Sequence, residues 1–138
     1  VITKEDVDAV GTVHVSNRIF DMVAAIVAGN TKKAMDLYED LPTLKEPPMR
    51  ILFLIARQFN QLLQVKELTG QGADKGTIAS KLKVPPFAVG RLTAQARAFT
   101  REQILSYVTL CVESEEAVKT GKLSDRLAVE LLIAGKYR

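Results

Sequence analysis

This chain holds one histidine, His14, and one cysteine, Cys111, among its 138 residues. Zinc needs a cluster of such ligands, so no zinc centre is expected. A single cysteine has no intramolecular partner, which rules out a disulfide framework and fits a reducing cytoplasm. No run approaches the roughly 18 apolar residues that a membrane span requires, so no membrane association is predicted. No charged segment followed by an apolar one opens the chain, and no secretory signal is expected. The first residue is Val1, with no initiator methionine, as in a piece of something longer. Acidic residues are missing from one long stretch: between Lys75 and Arg101 there are six basic residues and no acid.

Much of the chemistry that would make an enzyme is also missing. Gly70, Gly72 and Gly76 lie close together, but no lysine follows Gly76 and no strand precedes Gly70. A phosphate-binding Walker loop needs both the backbone cradle and the lysine, so ATP binding is not expected. A Cys111–His14 nucleophile pair is conceivable, but Cys111 falls on an apolar helical stripe, where cysteine behaves as a small hydrophobe. Glu113, Glu115 and Glu116 could hold a hard cation, yet they read more simply as a solvated helix face. Asp36, Glu39 and Asp40 read the same way, since acid–base pairs need a cleft. No cofactor is expected, and this chain is not expected to be an enzyme.

What remains has helical period and helical punctuation throughout. The composition, 47% hydrophobic and 25% charged, is that of a globular domain with a core. Thr3 and Asp6 suggest a short helix over 3–10, followed by a connector over 11–15. Ser16 or Asn17 caps a helix running to Ala28, which Gly29 stops. Asn30 or Thr31 caps the next, which reaches about Leu41 before Pro42. The link between them is short enough to force an antiparallel pair. Pro47 and Pro48 open a long central helix. Its six consecutive apolar residues, Ile51 to Ala56, predict a post enclosed on every side. Asp74 caps a helix through Leu82, and Pro85-Pro86 starts another to about Phe99. Thr100 with Gln103 forms a capping box for a helix from Arg101 to Thr120, with Ile104, Leu105, Val108, Cys111 and Val112 facing in. Ser124 caps a last helix, Asp125 to Ala134, with Leu127, Leu131 and Leu132 apolar. The fold class is all-α, a compact helical bundle with a short N-terminal helical segment.

One stretch has a pattern of its own. Ile78, Ala79, Leu82, Val84, Val89 and Leu92 reproduce the apolar spacing of a helix-turn-helix, and the basic run covers the same residues. A recognition helix starting near Pro85 would offer Phe87, Ala88, Gly90 and Arg91, a poor set for reading base edges. Lys83 stands in the turn where glycine is usual. DNA contact through Lys81, Lys83 and Arg91 stays open as an alternative function.

Several stretches, in order, resemble the C-terminal region of the delta subunit of the bacterial DNA polymerase III clamp loader. They are ITKEDV at 2–7, IFDMVAAIVAGNTKKAMDLYEDL at 19–41, EPPMRILFLIARQFNQLLQVKEL at 46–68, IASKLKVPPFAVGRLTAQARAF at 78–99 and KTGKLSDRLAVELLI at 119–133. The ARQF…LLQVK and KTG…RLAVELL segments are the most specific. The resemblance implies that 1–15 is the tail of a small AAA+-type domain and 16–138 a helical collar. In that family, the collar domains of five subunits pack into a ring that holds together the loader, which places the sliding clamp on DNA during replication. It implies a non-catalytic oligomerisation domain in the cytoplasm, with gamma/tau and delta-prime subunits as partners and ATPase sites on other subunits. The sliding clamp would be met only through an N-terminal domain outside this chain. For the subunit interface, the residues expected are Arg57, Gln58, Gln61 and Tyr137, on the exposed sides of the central and last helices.

Overall fold

The computed structural model describes residues 17–40 and 47–134. Seven helices account for most of them, and no strand occurs among the described residues. They are α1 (17–28), α2 (Thr31–Asp40), α3 (Pro48–Gly70), α4 (Lys75–Leu82), α5 (Pro86–Ala98), α6 (Arg101–Lys119) and α7 (Asp125–Ala134). The all-α bundle is as expected. The helix predicted over 3–10, the connector after it and Tyr137 lie outside the described residues.

The helix ends are set by local chemistry. Asp74 accepts the Thr77 N–H at 2.7 Å, and Ser124 Oγ accepts the Leu127 N–H at 3.1 Å. Asn30 Oδ1 accepts the Lys33 N–H at 3.2 Å to open α2. At α6, Thr100 Oγ1 accepts the Gln103 N–H at 3.0 Å, while Gln103 Oε1 accepts the Thr100 N–H at 2.9 Å. Each bond satisfies a backbone donor that the helix itself leaves unpaired. Gly29 takes a φ of +78°, a conformation other residues resist, and turns the chain from α1 into α2.

The 23 residues of α3 span about 35 Å and form the axis of the bundle. It packs on α6, α5, α7 and the shorter α4, while α7 also meets α6 and α2. Its inward positions, Ile51, Leu52, Ile55, Phe59 and Leu62, are wholly buried. The Phe59 ring stacks on Tyr107 of α6 with centroids 5.0 Å apart and planes 8° from parallel. Tyr107 in turn donates its hydroxyl to the Ile26 carbonyl of α1 at 3.4 Å.

Two expectations about the core require correction. The post is not enclosed on every side, because Phe53, in the middle of the apolar run, is 56% exposed. On α6 the buried positions are Ile104, Tyr107, Leu110, Cys111 and Ser114, whereas Leu105 and Val112 face outward and Val108 is half-buried. Leu127 of α7 is likewise exposed. The cause is the angular width of helix contact. Neighbouring helices cover one stripe of α6, and apolar residues one position around the helix fall outside it.

Candidate subunit-contact face

The outward stripe of α3 carries Phe53, Arg57, Asn60, Gln61 and Gln64. These are spaced about one turn apart, so they share one face of the helix. Two grooves flank this stripe, and both are lined by Arg57 and Gln61. The first, about 560 Å³, lies between α1, α3 and the turn from α4 into α5. Leu54, Phe20, Val84 and Phe87 give it apolar walls, and Arg57, Lys83 and Arg91 line it with positive charge. The second, about 440 Å³, lies between α3, α4 and α6. Phe53 and Val112 flank it, with Lys81 on one side and Glu115 on the other.

Arg57 and Gln61 thus lie where the sequence places an outward polar face. Gln58, one residue on, has a different role. It is half-buried, and its Nε2 donates to Gln95 Oε1 at 2.8 Å. Gln95, almost fully buried, donates its own Nε2 to the Phe20 carbonyl at 3.1 Å. This relay joins α3, α5 and α1 and satisfies polar groups that burial would otherwise leave unpaired.

The three cations considered for nucleic acid also separate. Lys81 belongs to the second groove and Lys83 to the first. Arg91 donates from Nη1 to Asn17 Oδ1 at 2.7 Å, and its guanidinium carbon sits 4.3 Å from the centroid of the Phe20 ring. It fastens α5 to α1 by a hydrogen bond and a cation–π contact. The apolar helix-turn-helix pattern is real in that Ile78, Ala79, Leu82, Val89 and Leu92 are buried where α4 meets α5.

Lys83 has an unusual backbone. Its φ of 57° and ψ of 43° place it in the left-handed region, and it is the one non-glycine residue with positive φ among the described residues. A side chain there meets its own carbonyl, so glycine is the ordinary choice. The lysine in this turn was legible as an oddity in the sequence. The exposure of Phe53 and Val112 was not, because both sit within apolar runs. Phe87, 73% exposed, could have been suspected from its place directly after Pro85-Pro86, where a helix is only beginning.

Cys111 forms part of the floor of the second groove and is only 1% exposed. Burial, with a smaller contribution from Glu115, pushes its thiol up to about 12. Such a thiol stays protonated at neutral pH, and the thiolate is the reactive form. Among the described residues there is no group of three or more metal-ligating side chains, and no helix is long and apolar enough to cross a membrane.

Residues 16–136 match the family described as DNA polymerase III delta subunit, C-terminal domain. The DNA polymerase III subunit delta of Bacillus subtilis (strain 168) is 33% identical over 132 residues, which is 96% of this chain and 38% of that protein. The solved structure of the Bacillus subtilis DNA clamp loader delta protein (YqeN) superposes with a TM-score of 0.79 at 32% identity. That likeness covers 88% of this chain and 36% of the other. Fold and sequence agree on one class, the helical C-terminal domain of a clamp-loader delta protein. This chain belongs to the family of C-terminal domains of the DNA polymerase III delta protein.

Proposed function

We propose that this chain is the non-catalytic assembly domain of a clamp-loader delta subunit. It joins delta to gamma/tau and delta-prime subunits in a cytoplasmic complex that places the sliding clamp on DNA. The contact is made by the outward face of α3 with its two grooves, centred on Arg57 and Gln61. The observation that carries this reading is the clustering of exposed Phe53, Phe87 and Val112 beside those two polar residues. Large apolar side chains ringed by polar ones are the usual anatomy of a protein interface. No step of the reading asks the domain to bind nucleotide or metal.

The test uses the full-length delta subunit with the purified partner subunits. Phe53→Asp combined with Arg57→Glu is expected to abolish co-elution in gel filtration while leaving the helical circular dichroism unchanged. Co-elution that survives both changes would contradict the reading. The nucleic-acid alternative has weaker support, since Arg91 is already engaged by Asn17 and Phe20. It calls for salt-dependent DNA binding lost on charge reversal at Lys81 and Lys83.

A further inference from the structure

The first groove has features that bulk subunit packing does not require. Its polar lining is all cation and amide, with no acidic residue. Phe87 stands at its edge with 73% of its surface in solvent, and Leu54 and Val84 offer apolar surface beside it. Arg91 is already engaged, but Arg57 and Lys83 make no ion pair among the described residues. Lys83 also holds a left-handed backbone that glycine would adopt without strain. A strained non-glycine residue at the mouth of a groove points to a use for its side chain.

We propose that this groove receives an acidic segment of a neighbouring loader subunit, one that carries a large apolar side chain. The apolar side chain lodges against Phe87, Leu54 and Val84. Its flanking carboxylates meet Lys83 on one side and Arg57 on the other. Lys83 is the specificity-determining residue, because positive charge on both sides of an apolar slot rejects basic segments as well as attracting acidic ones. A volume of about 560 Å³ admits a few side chains and not a whole domain, so the occupant is a segment. The inference rests on the assembly reading above and adds the chemistry of the partner.

The experiment uses the loader reconstituted from purified full-length subunits, with Phe87→p-benzoylphenylalanine in delta as a photo-crosslinker. The expected result is an adduct on another subunit, within a stretch richer in Asp and Glu than in Lys and Arg. Lys83→Gly is expected to raise the melting temperature of delta yet cut the adduct yield by about fivefold, the effect of losing one well-placed interface side chain. An adduct on DNA, on a second copy of delta or on a neutral or basic segment would overturn the proposal. So would no adduct in subunits that still co-elute, or a yield unchanged by Lys83→Gly. In those cases co-elution of the subunits would still support an assembly domain, without this groove's chemistry. Failure of the unmodified subunits to co-elute at all would remove both.

Discussion

The two sides of α3 are built from similar residues and differ in what is left unmet. On the inward side, Phe59 is wholly buried against Tyr107, and at its margin the half-buried Gln58 is tied through Gln95 to the Phe20 carbonyl. On the outward side, Phe53 is more than half exposed, and Arg57 makes no ion pair among the described residues. Phenylalanine and polar side chains on one helix thus serve stability on one side and remain available on the other. An apolar run on a central helix is therefore not evidence of burial all round. Coverage by neighbouring helices decides it, and here the flank between α4 and α6 is uncovered.

Truncation of the two phenylalanines should separate the sides by the widest margin. Phe59→Ala should cost about 3–5 kcal/mol, the usual penalty for emptying a buried aromatic site. Phe53→Ala should change stability by about 0.5 kcal/mol or less, as expected of a side chain that touches little. Urea denaturation of the two variants checks both. Equal losses would mean that Phe53 is part of the core.

The polar residues should divide in the same way. Gln58→Leu removes the donor to the buried Gln95 Oε1 and should cost about 1–3 kcal/mol. Gln61→Ala, on the groove face, should be nearly silent in the same assay. At the α4–α5 turn the sign should reverse. Lys83→Gly relieves the left-handed strain and should add about 1 kcal/mol of stability, read as a higher thermal midpoint. A loss there would show that the lysine stabilises the fold and is not held for recognition.

The last effect emerges only in alkali and concerns the floor of the second groove. The Cys111 thiol is raised to about 12 by burial, above its unfolded value of 9.0. The protonated form is therefore favoured by folding. That contribution is fully present below pH 9 and is lost as pH rises from 9 toward 12. The urea midpoint should fall over this range, and less so in Cys111→Ala. A native thiol alkylated as fast as an unfolded one at neutral pH would contradict the enclosed site.

The helix boundaries were legible because their chemistry is local. Thr100 and Gln103, Asp74 and Thr77, and Ser124 and Leu127 are each three residues apart, so a cap can be read directly from the chain. The ARQF…LLQVK stretch pointed to the family for a different reason, as a resemblance and not as physics. The grooves were not legible. They depend on α1, α4, α5 and α6 coming to rest around α3, and hydrophobicity does not say which side of a post its neighbours leave bare. Gln58 and Arg57 looked alike as adjacent polar residues. Only the arrival of Gln95, 37 residues later in the chain, separates them. Arg91 is a similar case, since its partner Asn17 is 74 residues away.

If delta assembles as proposed, a neighbouring subunit covers the outward face of α3. Hydroxyl-radical footprinting of full-length delta, alone and with its partner subunits, tests it most directly. Phe53 and Phe87 should be oxidised readily in delta alone and protected in the complex, while exposed Leu127, outside both grooves, reports any change that is not local. Equal oxidation of Phe53 and Phe87 in the two samples, with the subunits demonstrably bound, would contradict the account.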